Sequence, residues 1–179
     1  MLNKIGVISD LHGSLKDTKN VLEILEGTTD LLICAGDILY HGPQNRIPEN
    51  YNPEKVAELI NKFPKRIIFA RGNCDAEVDQ TLIKYPILQD ISFVFIEKVH
   101  IAITHGHKIP NNNFDQFGSD NKINILVTGH THIPLIENFA WGIHLNPGSI
   151  ALPKNGFNKS YAIINIENGK FNVGIKEMK

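Results

Sequence analysis

Polar residues that can bind metals or transfer protons follow five apolar segments of this sequence. The segments GVIS, LLICA, IIFA, IAIT and ILVT are followed by Asp10-Leu11-His12, Gly36-Asp37, Arg71-Gly72-Asn73, His105-Gly106-His107 and Gly129-His130-Thr131-His132. In α/β proteins the carboxyl ends of strands are where ligands bind, and a glycine there lets the backbone turn sharply. We therefore expect one cleft to collect seven residues: Asp10, His12, Asp37, Asn73, His105, His130 and His132.

These seven side chains offer oxygen and nitrogen donors without a thiolate, a set that suits first-row cations such as Mn, Fe, Co, Ni or Zn. One ion with an open catalytic position needs fewer donors, so the set predicts two ions that share a bridging carboxylate. The D-x-H and H-x-H spacings place both side chains on one side if the segments are extended. A single histidine or aspartate at a strand end is more often a hydrogen-bonding or capping residue, so the prediction rests on the whole set.

The apolar, β-branched runs predict the strands that must position these residues. They cover 4–9, 30–35, 66–70, 92–97, 100–104, 124–128, 143–146, 161–167 and 171–176, with the last two joined as a hairpin at 167–170. Two helices are predicted at 15–26, with Ser14 and Asp17 placed for a capping box, and at 53–63, with Asn52 as N-cap before Pro53. Segment 111–122 weakly indicates a further helix, and 41–52 is predicted to be a loop over the site.

This order of elements indicates an α/β fold in which a two-sheet β-sandwich is flanked by helices. At 179 residues the chain is most simply a single domain spanning 1–179. The apolar segment 83–95 has two interpretations, a core strand or a surface that pairs two copies into a homo-oligomer.

Composition excludes some classes of partner. The chain has 18 basic and 19 acidic residues and no dense basic cluster, which argues against binding long nucleic acids. No apolar run approaches the roughly 18 residues of a membrane-spanning helix, and the short stretch IGVIS does not predict a signal peptide. Two cysteines make no disulfide framework, so we expect a cytoplasmic protein without a membrane partner.

The pattern D-x-H, G-D, G-N, H and G-H-x-H over residues 10–132 resembles the calcineurin-like metallophosphoesterase superfamily. The fuller stretches SDLHGS, GDILYHGP, RGNCDAEVDQ, THGH, GHTHIP and NPGS are most similar to its small phosphodiesterases. The resemblance implies an αββα sandwich with a di-metal centre. It implies that the first metal is held by Asp10, His12, Asp37 and His132, and that Asp37 bridges to a second metal held by Asn73, His105 and His130.

The resemblance also implies phosphoester hydrolysis, often with manganese. Two cations can clamp the phosphoryl oxygens and generate a bridging hydroxide at neutral pH. We therefore expect a metal-dependent phosphodiesterase that acts on small phosphodiesters, with Asp37 and Asn73 serving catalysis as metal ligands. A phosphomonoesterase, a nuclease and a non-catalytic protein-binding scaffold of the same fold are the alternatives.

Cys74 departs from the pattern of many relatives, in which a histidine at this position protonates the leaving oxygen. A thiol with a pKa of about 8.5 is a weaker acid than an imidazolium, so we expect a preference for diesters with good leaving groups. If 73–74 is extended, the two side chains diverge and Cys74 does not face the metals.

Several further residues are assigned supporting positions from the sequence. Arg71, His41 and His107 are candidates for contact with the substrate, with a surface or supporting role as the alternative; Arg71 is also placed to pair with Asp75 or Glu77. We expect Asp75 to orient a ligand, the NPGS turn to support the cleft, and Cys34, His100 and His144 to be structural.

Overall fold

Two five-stranded mixed sheets lie face to face in the computed structural model, which describes residues 3–110 and 113–178. The first sheet has the order β10-β9-β1-β2-β3 and the second the order β4-β5-β6-β8-β7. The strands are β1 Lys4–Ile8, β2 Leu31–Cys34, β3 Arg66–Phe69, β4 Ile91–Ile96, β5 Val99–Thr104, β6 Ile125–Val127, β7 Pro134–Phe139, β8 Gly142–Pro147, β9 Ser160–Glu167 and β10 Lys170–Glu177. The helices are α1 Leu15–Glu26, α2 Pro53–Lys62 and α3 Phe114–Asp120, with a short 3-10 helix at Glu77–Thr81.

Three apolar layers hold these elements together. The outer face of the first sheet packs on α1 and α2, and its inner face packs on the second sheet. On β5, alternation sends Ile101 and Ile103 into the layer between the sheets and Ala102 outward, where α3 and Trp141 cover it. The predicted two-sheet sandwich flanked by helices is therefore confirmed.

Each predicted strand and helix has a counterpart, including α3, but β7 was not predicted from the sequence. Its sequence PLIENF lacks alternation and is mostly exposed, because β7 is the edge of the second sheet and forms by pairing with β8. Pro134 stands at its first residue, where an edge strand tolerates a missing N–H. The hairpin is confirmed, with Glu167 opposite Lys170.

The two predicted helix starts have different outcomes. Asn52 caps α2 as predicted and accepts a hydrogen bond from the Lys55 N–H at 3.1 Å. The capping box of α1 is wrong, because the Ser14 hydroxyl donates to the Asp17 carboxylate at 2.6 Å instead of accepting from the backbone. That carboxylate also accepts two hydrogen bonds of 2.7 Å from Lys159, which draws it away from the helix end.

The apolar segment 83–95 is partly buried in the core and partly exposed at the surface, so each of the two interpretations applies to a part of it. Ile83 and Ile87 are buried in the core. Ile91, Phe93 and Phe95 lie on the outer face of β4, at the edge of the second sheet, and are exposed. Among the described residues, no helix has the length and apolar character to cross a bilayer.

Candidate metal centre

The seven predicted ligands meet where the parallel strands of both sheets end. Asp10 and His12 follow β1, Asp37 follows β2 and Asn73 follows β3, while the three histidines His105, His130 and His132 follow β5 and β6. Because β1, β2 and β3 are parallel, as are β5 and β6, these ends lie at one edge of each sheet. The sequence-based expectation of convergence agrees with this placement.

The backbone brings the side chains together by a route that the sequence analysis did not foresee. The expected extended conformation of D-x-H and H-x-H is wrong, because left-handed φ angles occur at both members of each pair and at the shared aspartate: 55° at Asp10, 47° at His12, 55° at Asp37, 70° at His130 and 60° at His132. Such residues cost roughly 1–3 kcal/mol each and are held in place by surrounding structure. Here the Asp10 N–H donates to Gly36 O at 3.0 Å and the His12 N–H to Asp37 O at 2.9 Å.

Asp10, His12 and His132 form the first group of potential ligands, and all three are buried. The Nε2 atoms of the two histidines lie 3.2 Å apart, and Asp10 Oδ1 is 3.4 Å from His132 Nε2 and 3.8 Å from His12 Nε2. Asp10 Oδ1 is buried without a hydrogen-bond partner among the described residues. The three donors therefore point into one small volume.

A second group adjoins the first through Asp37. Its Oδ2 is 3.4 Å from His105 Nε2 and 3.7 Å from His12 Nε2. Asn73 Oδ1 lies 3.1 Å from His105 Nε2 and 2.8 Å from His130 Nδ1. Asp37 thus touches ligands of both groups, which suits a bridging carboxylate, while the exposed Asn73 and His130 leave the second group open to solvent.

Main-chain carbonyls fix the orientation of three of the rings. The Nδ1 atoms of His12, His105 and His132 lie 2.9, 2.6 and 2.6 Å from the carbonyl oxygens of Tyr40, Ala35 and Leu152. A carbonyl can only accept, so each Nδ1 carries the hydrogen and each Nε2 is directed into the site, where it presents a lone pair whenever the ring is neutral. This arrangement is usual for metal-binding histidines.

The first group contains acceptor atoms that face one another without a hydrogen-bond donor between them, and this arrangement indicates whether the site suits a cation. Between His12 and His132 two Nε2 lone pairs meet at 3.2 Å, beside the unpaired Oδ1 of Asp10. Buried acceptors in such proximity repel one another unless a positive charge compensates them. The residues present therefore fit divalent cations with oxygen and nitrogen ligands.

A family model for the calcineurin-like phosphoesterase superfamily domain matches residues 4–169. The chain belongs to this superfamily. It is 42% identical over 162 residues to phosphodiesterase YfcE of Escherichia coli (strain K12), covering 90% of this chain and 86% of that protein.

Two solved structures share the fold of this chain. The structure of YfcE, a phosphoesterase from E. coli, matches with a TM-score of 0.79 at 40% identity and covers 90% of this chain and 88% of that one. Vacuolar protein sorting 29 of Cryptosporidium parvum matches with a TM-score of 0.66 at 19% identity, covering 98% and 97% of the two chains. The second likeness concerns the fold alone.

Burial and mutual charge shift the pKa values of the side chains in this candidate centre. Burial raises the pKa of Asp10 to about 7 against the charge of His105, and burial lowers the pKa of His132 to about 4. Burial opposes the shifts of His105 and Asp37, but their contact with each other outweighs it, so the pKa of His105 is raised and that of Asp37 is held well below its usual range. A proton on His105 thus occupies a place that a divalent cation would take.

Asp75 holds the loop that carries Asp37, as expected from the sequence. Its buried carboxylate accepts hydrogen bonds from the N–H groups of Asp37 at 3.0 Å, Ile38 at 2.7 Å and Gly72 at 2.7 Å. Arg71 donates through Nε to the main-chain carbonyl of Asp75 at 3.2 Å, so the anticipated ion pair of Arg71 with Asp75 or Glu77 is replaced by this bond.

The NPGS turn fixes the two other ligand loops. Asn146 Nδ2 donates to the Gly129 carbonyl at 2.7 Å, beside His130. The Ser149 hydroxyl donates to the Asp10 carbonyl at 2.7 Å and accepts from the Leu152 N–H at 2.8 Å. The turn therefore supports the cleft by main-chain contacts, as the sequence suggested.

Cys74 faces the centre, contrary to expectation. Residues 73–74 form a bend, and the thiol accepts a hydrogen bond from Asn73 Nδ2 at 3.3 Å and lies in one group with His12 and Asp37. Adjacent side chains diverge only in an extended segment, which this is not. Burial and the charge of Asp37 raise the pKa of Cys74 well above its ordinary value, so the thiol keeps its proton.

The three candidates for substrate contact differ in their placement. The ring of His107 is 5.4 Å from that of His105 and 5.9 Å from that of His130, beside the open second group. Burial and the charges of these two rings lower the pKa of His107. His41 instead packs edge-on against tyrosines, and Arg71 lies at the loop described above.

The remaining residues assigned structural roles lie within strands and not in the loops that carry the predicted ligands. His100 is exposed on β5 beside Phe95, and His144 is buried with Nε2 2.8 Å from the Thr128 hydroxyl. Cys34 is fully buried in the core.

Lys154 is a residue that the sequence analysis missed. Its main-chain N–H donates to the His132 carbonyl at 3.4 Å, and this bond holds Lys154, which is exposed, at the rim of the centre. Its positive charge contributes, after burial, to the lowered pKa values of His12, His130 and His132. The only signal in the sequence is its place shortly after the NPGS turn.

Proposed function

We propose that this protein is a metal-dependent phosphodiesterase that hydrolyses small phosphodiesters. The observation that carries the proposal is the 3.2 Å contact between two Nε2 lone pairs, of His12 and His132, beside the unpaired buried Oδ1 of Asp10. The identity of 42% to a phosphodiesterase supports the choice of reaction.

Two divalent cations would be held by the two groups of ligands. Asp10, His12, Asp37 and His132 would hold the first, and Asp37, Asn73, His105 and His130 the second. We propose manganese, with zinc, iron, cobalt and nickel compatible with the same donors. When bound, such cations offset the charge of the phosphoryl oxygens and make water acidic enough to attack at neutral pH.

The residues around the cations bind and orient an anionic substrate. Asn73 contributes a neutral oxygen, so it adds no negative charge against the phosphate, and its Nδ2 bond to Cys74 keeps Oδ1 toward His105 and His130. Lys154 supplies positive charge at the rim, which favours the approach of an anion. Cys74 retains its proton and is a weak acid, which favours diesters whose leaving group departs without proton transfer.

Other properties of the proposed enzyme follow from composition. A net charge of −1 without a basic patch favours small substrates over long nucleic acids. The unpaired Cys34 and Cys74 are in keeping with the reducing cytoplasm suggested by the sequence.

We also propose that residues 1–179 fold as one domain and that two copies pair through β4. This strand lies at the edge of a sheet and exposes Ile91, Phe93 and Phe95, whose exposed fractions are 41%, 42% and 65%. An apolar edge strand is suited to pairing with another chain. Sedimentation velocity of the wild type and Phe95→Lys tests this: a dimer that becomes a monomer is expected, and a monomeric wild type contradicts it.

Turnover of bis(p-nitrophenyl) phosphate by metal-stripped protein, with and without added manganese, tests the enzymatic proposal. We expect metal to restore turnover, and Asn73→Ala and His130→Ala to reduce kcat by about 100-fold or more. His100→Ala is the matched control, because His100 is exposed on β5 and should retain full activity. Metal binding without turnover for any first-row cation would instead favour the non-catalytic scaffold.

A further inference from the structure

An apolar groove of about 290 Å³ opens beside Cys74. Tyr40 and Tyr51, from the segment between β2 and α2, form one wall, and Val78 and Leu82, in and just after the 3-10 helix, form the other. The volume is close to the lower limit of small-molecule sites, which run from about 300 to 1,000 Å³. The groove therefore has room for a group about the size of a ring.

The surface of this groove is apolar and accessible. Tyr40 is 43% exposed, Val78 65% and Leu82 45%. The lining carboxylate, Asp79, is only 9% exposed and accepts a hydrogen bond from the Ala76 N–H at 2.9 Å. The side chains of Val78 and Leu82 offer no hydrogen-bond partner to a hydroxyl-rich group, whereas an apolar group gains from the area that it buries against them.

Two residues join the groove to the metal centre. The Cys74 thiol lines the groove and also lies in one group with His12 and Asp37, whose ligand atoms are all within 4.8 Å of one another. The Tyr40 carbonyl accepts the hydrogen of His12 Nδ1 at 2.9 Å, so this wall of the groove is attached to a metal ligand. A substituent on a phosphorus atom at the centre can therefore extend directly into the groove.

The tyrosine wall is held in a fixed geometry. The ring of His41 packs edge-on against Tyr40, with centroids 4.7 Å apart, and against Tyr51, with centroids 5.4 Å apart. Aromatic rings contribute specific stacking in addition to their apolar area. An aromatic group thus matches the groove better than an alkyl group of smaller area.

We propose that this groove binds one ester group of the substrate and that this group is aromatic, an inference that rests on the proposed phosphodiesterase function. The occupant is an aryl ring or a planar heterocycle attached through oxygen to the phosphorus. Specificity then comes from Tyr40, Val78 and Leu82, which hold no metal.

Phenylphosphonate and methylphosphonate provide the test, because each has one organic group and neither is hydrolysed as an ester. Their affinities for the manganese-loaded protein are measured by calorimetry, alongside turnover of bis(p-nitrophenyl) phosphate. We expect the phenyl compound to bind at least about tenfold more tightly to the wild type, since a ring buries more apolar area than a methyl group. In Leu82→Asn and Val78→Asn this ratio should fall to about threefold or less.

Leu135→Asn is the matched control, because Leu135 is 41% exposed on β7, away from the groove, and should keep the wild-type ratio. Equal affinities for the two phosphonates in a wild type with normal turnover would overturn this inference alone. A wild type without turnover would overturn the proposed function and this inference with it.

Discussion

The Nε2 atoms of His12 and His132 lie 3.2 Å apart, with their rings stacked at 4.9 Å, although both rings use Nδ1 to donate to main-chain carbonyls. The protein therefore folds two lone pairs toward each other in a buried place. This contact costs stability until a cation, or a proton on one of the two rings, lies between the nitrogens.

Removal of metal is expected to lower the melting temperature, because a cation that binds only the folded state stabilises it by about 2.7 kcal/mol at 100 times its dissociation constant. Scanning calorimetry with manganese and with a chelator measures the shift. In His132→Ala the shift should largely disappear, whereas His100→Ala should keep it. A wild type whose melting temperature is the same with and without metal contradicts the prediction.

Gly72→Ala is expected to disrupt the centre by sterics alone. A Cβ at Gly72 would lie 2.1 Å from Asp37 Oδ1 and 2.2 Å from Asp37 N, so the carboxylate shared by both groups must move. We expect a loss of activity of about 100-fold, since a misplacement near 1 Å has that effect on catalysis. Gly174→Ala on β10 is the control, because nothing lies within 4 Å of its Cβ position; if both variants lose activity equally, the steric account is wrong.

Asp75→Asn tests how strongly main-chain hydrogen bonds position Asp37. The amide would point an NH₂ group at main-chain N–H donors that the carboxylate now accepts, and metal affinity should fall by about 10–100-fold. Asp30→Asn is the control. Asp30 accepts hydrogen bonds from the N–H groups of Asn3 and Lys4, both at 3.0 Å, and it directly precedes β2, at the opposite end of that strand from Asp37. Titration of both variants with manganese compares them, and an unchanged affinity in Asp75→Asn would count against this role.

Cys74→His is expected to change the dependence of rate on the leaving group. An imidazole beside His12 and Asp37 can donate a proton, which the thiol does poorly, so diesters with poor leaving groups should gain on the order of tenfold or more. Rates are measured for a series of aryl leaving groups. The slope of the logarithm of the rate against the pKa of the leaving group should become shallower than in the wild type. Cys74→Ser should keep the wild-type slope, and an unchanged slope in Cys74→His would show that another residue already supplies the proton.

The buried His144 is expected to make the fold sensitive to mild acid. Burial lowers its pKa below the ordinary 6.5, against the hydrogen bond and charge of Glu137. The folded state then binds fewer protons than the unfolded state, so stability is complete above pH 6.5 and is lost as pH falls toward the folded pKa, by at most about 1.4 kcal/mol per pH unit. Urea unfolding at pH 7.5 and 5.5 should show a smaller loss in His144→Gln; an equal loss would exclude His144 as the cause.

The sequence predicted the sandwich and the collection of ligands because both follow from burial. Strands such as β1 and β2 are nearly apolar throughout, and the polar residues that follow them lie where the parallel strands end. Strand β7, which was not predicted, carries no such signal, since its residues are mostly exposed and its formation depends on pairing with β8.

The conformation of the ligand loops was beyond sequence reasoning for a different reason. A left-handed φ at Asp10 or His132 is selected by tertiary hydrogen bonds, for example from the Asp10 N–H to Gly36 O, which no periodicity records. The same holds for the inward turn of Cys74 and for Lys154, which is brought to the rim by contact of its backbone with His132.

The predicted ligands are divided four and three between the two sheets, and this division affects how a bound ion would leave. Asp10, His12, Asp37 and Asn73 belong to loops of the first sheet, and His105, His130 and His132 to loops of the second. An ion with ligands from both loop sets acts as a cross-link between the halves of the sandwich. Its residence time would then depend on how often the two sheets separate at that edge, so release from the buried first group should depend less on chelator concentration than release from the second group, which is open to solvent.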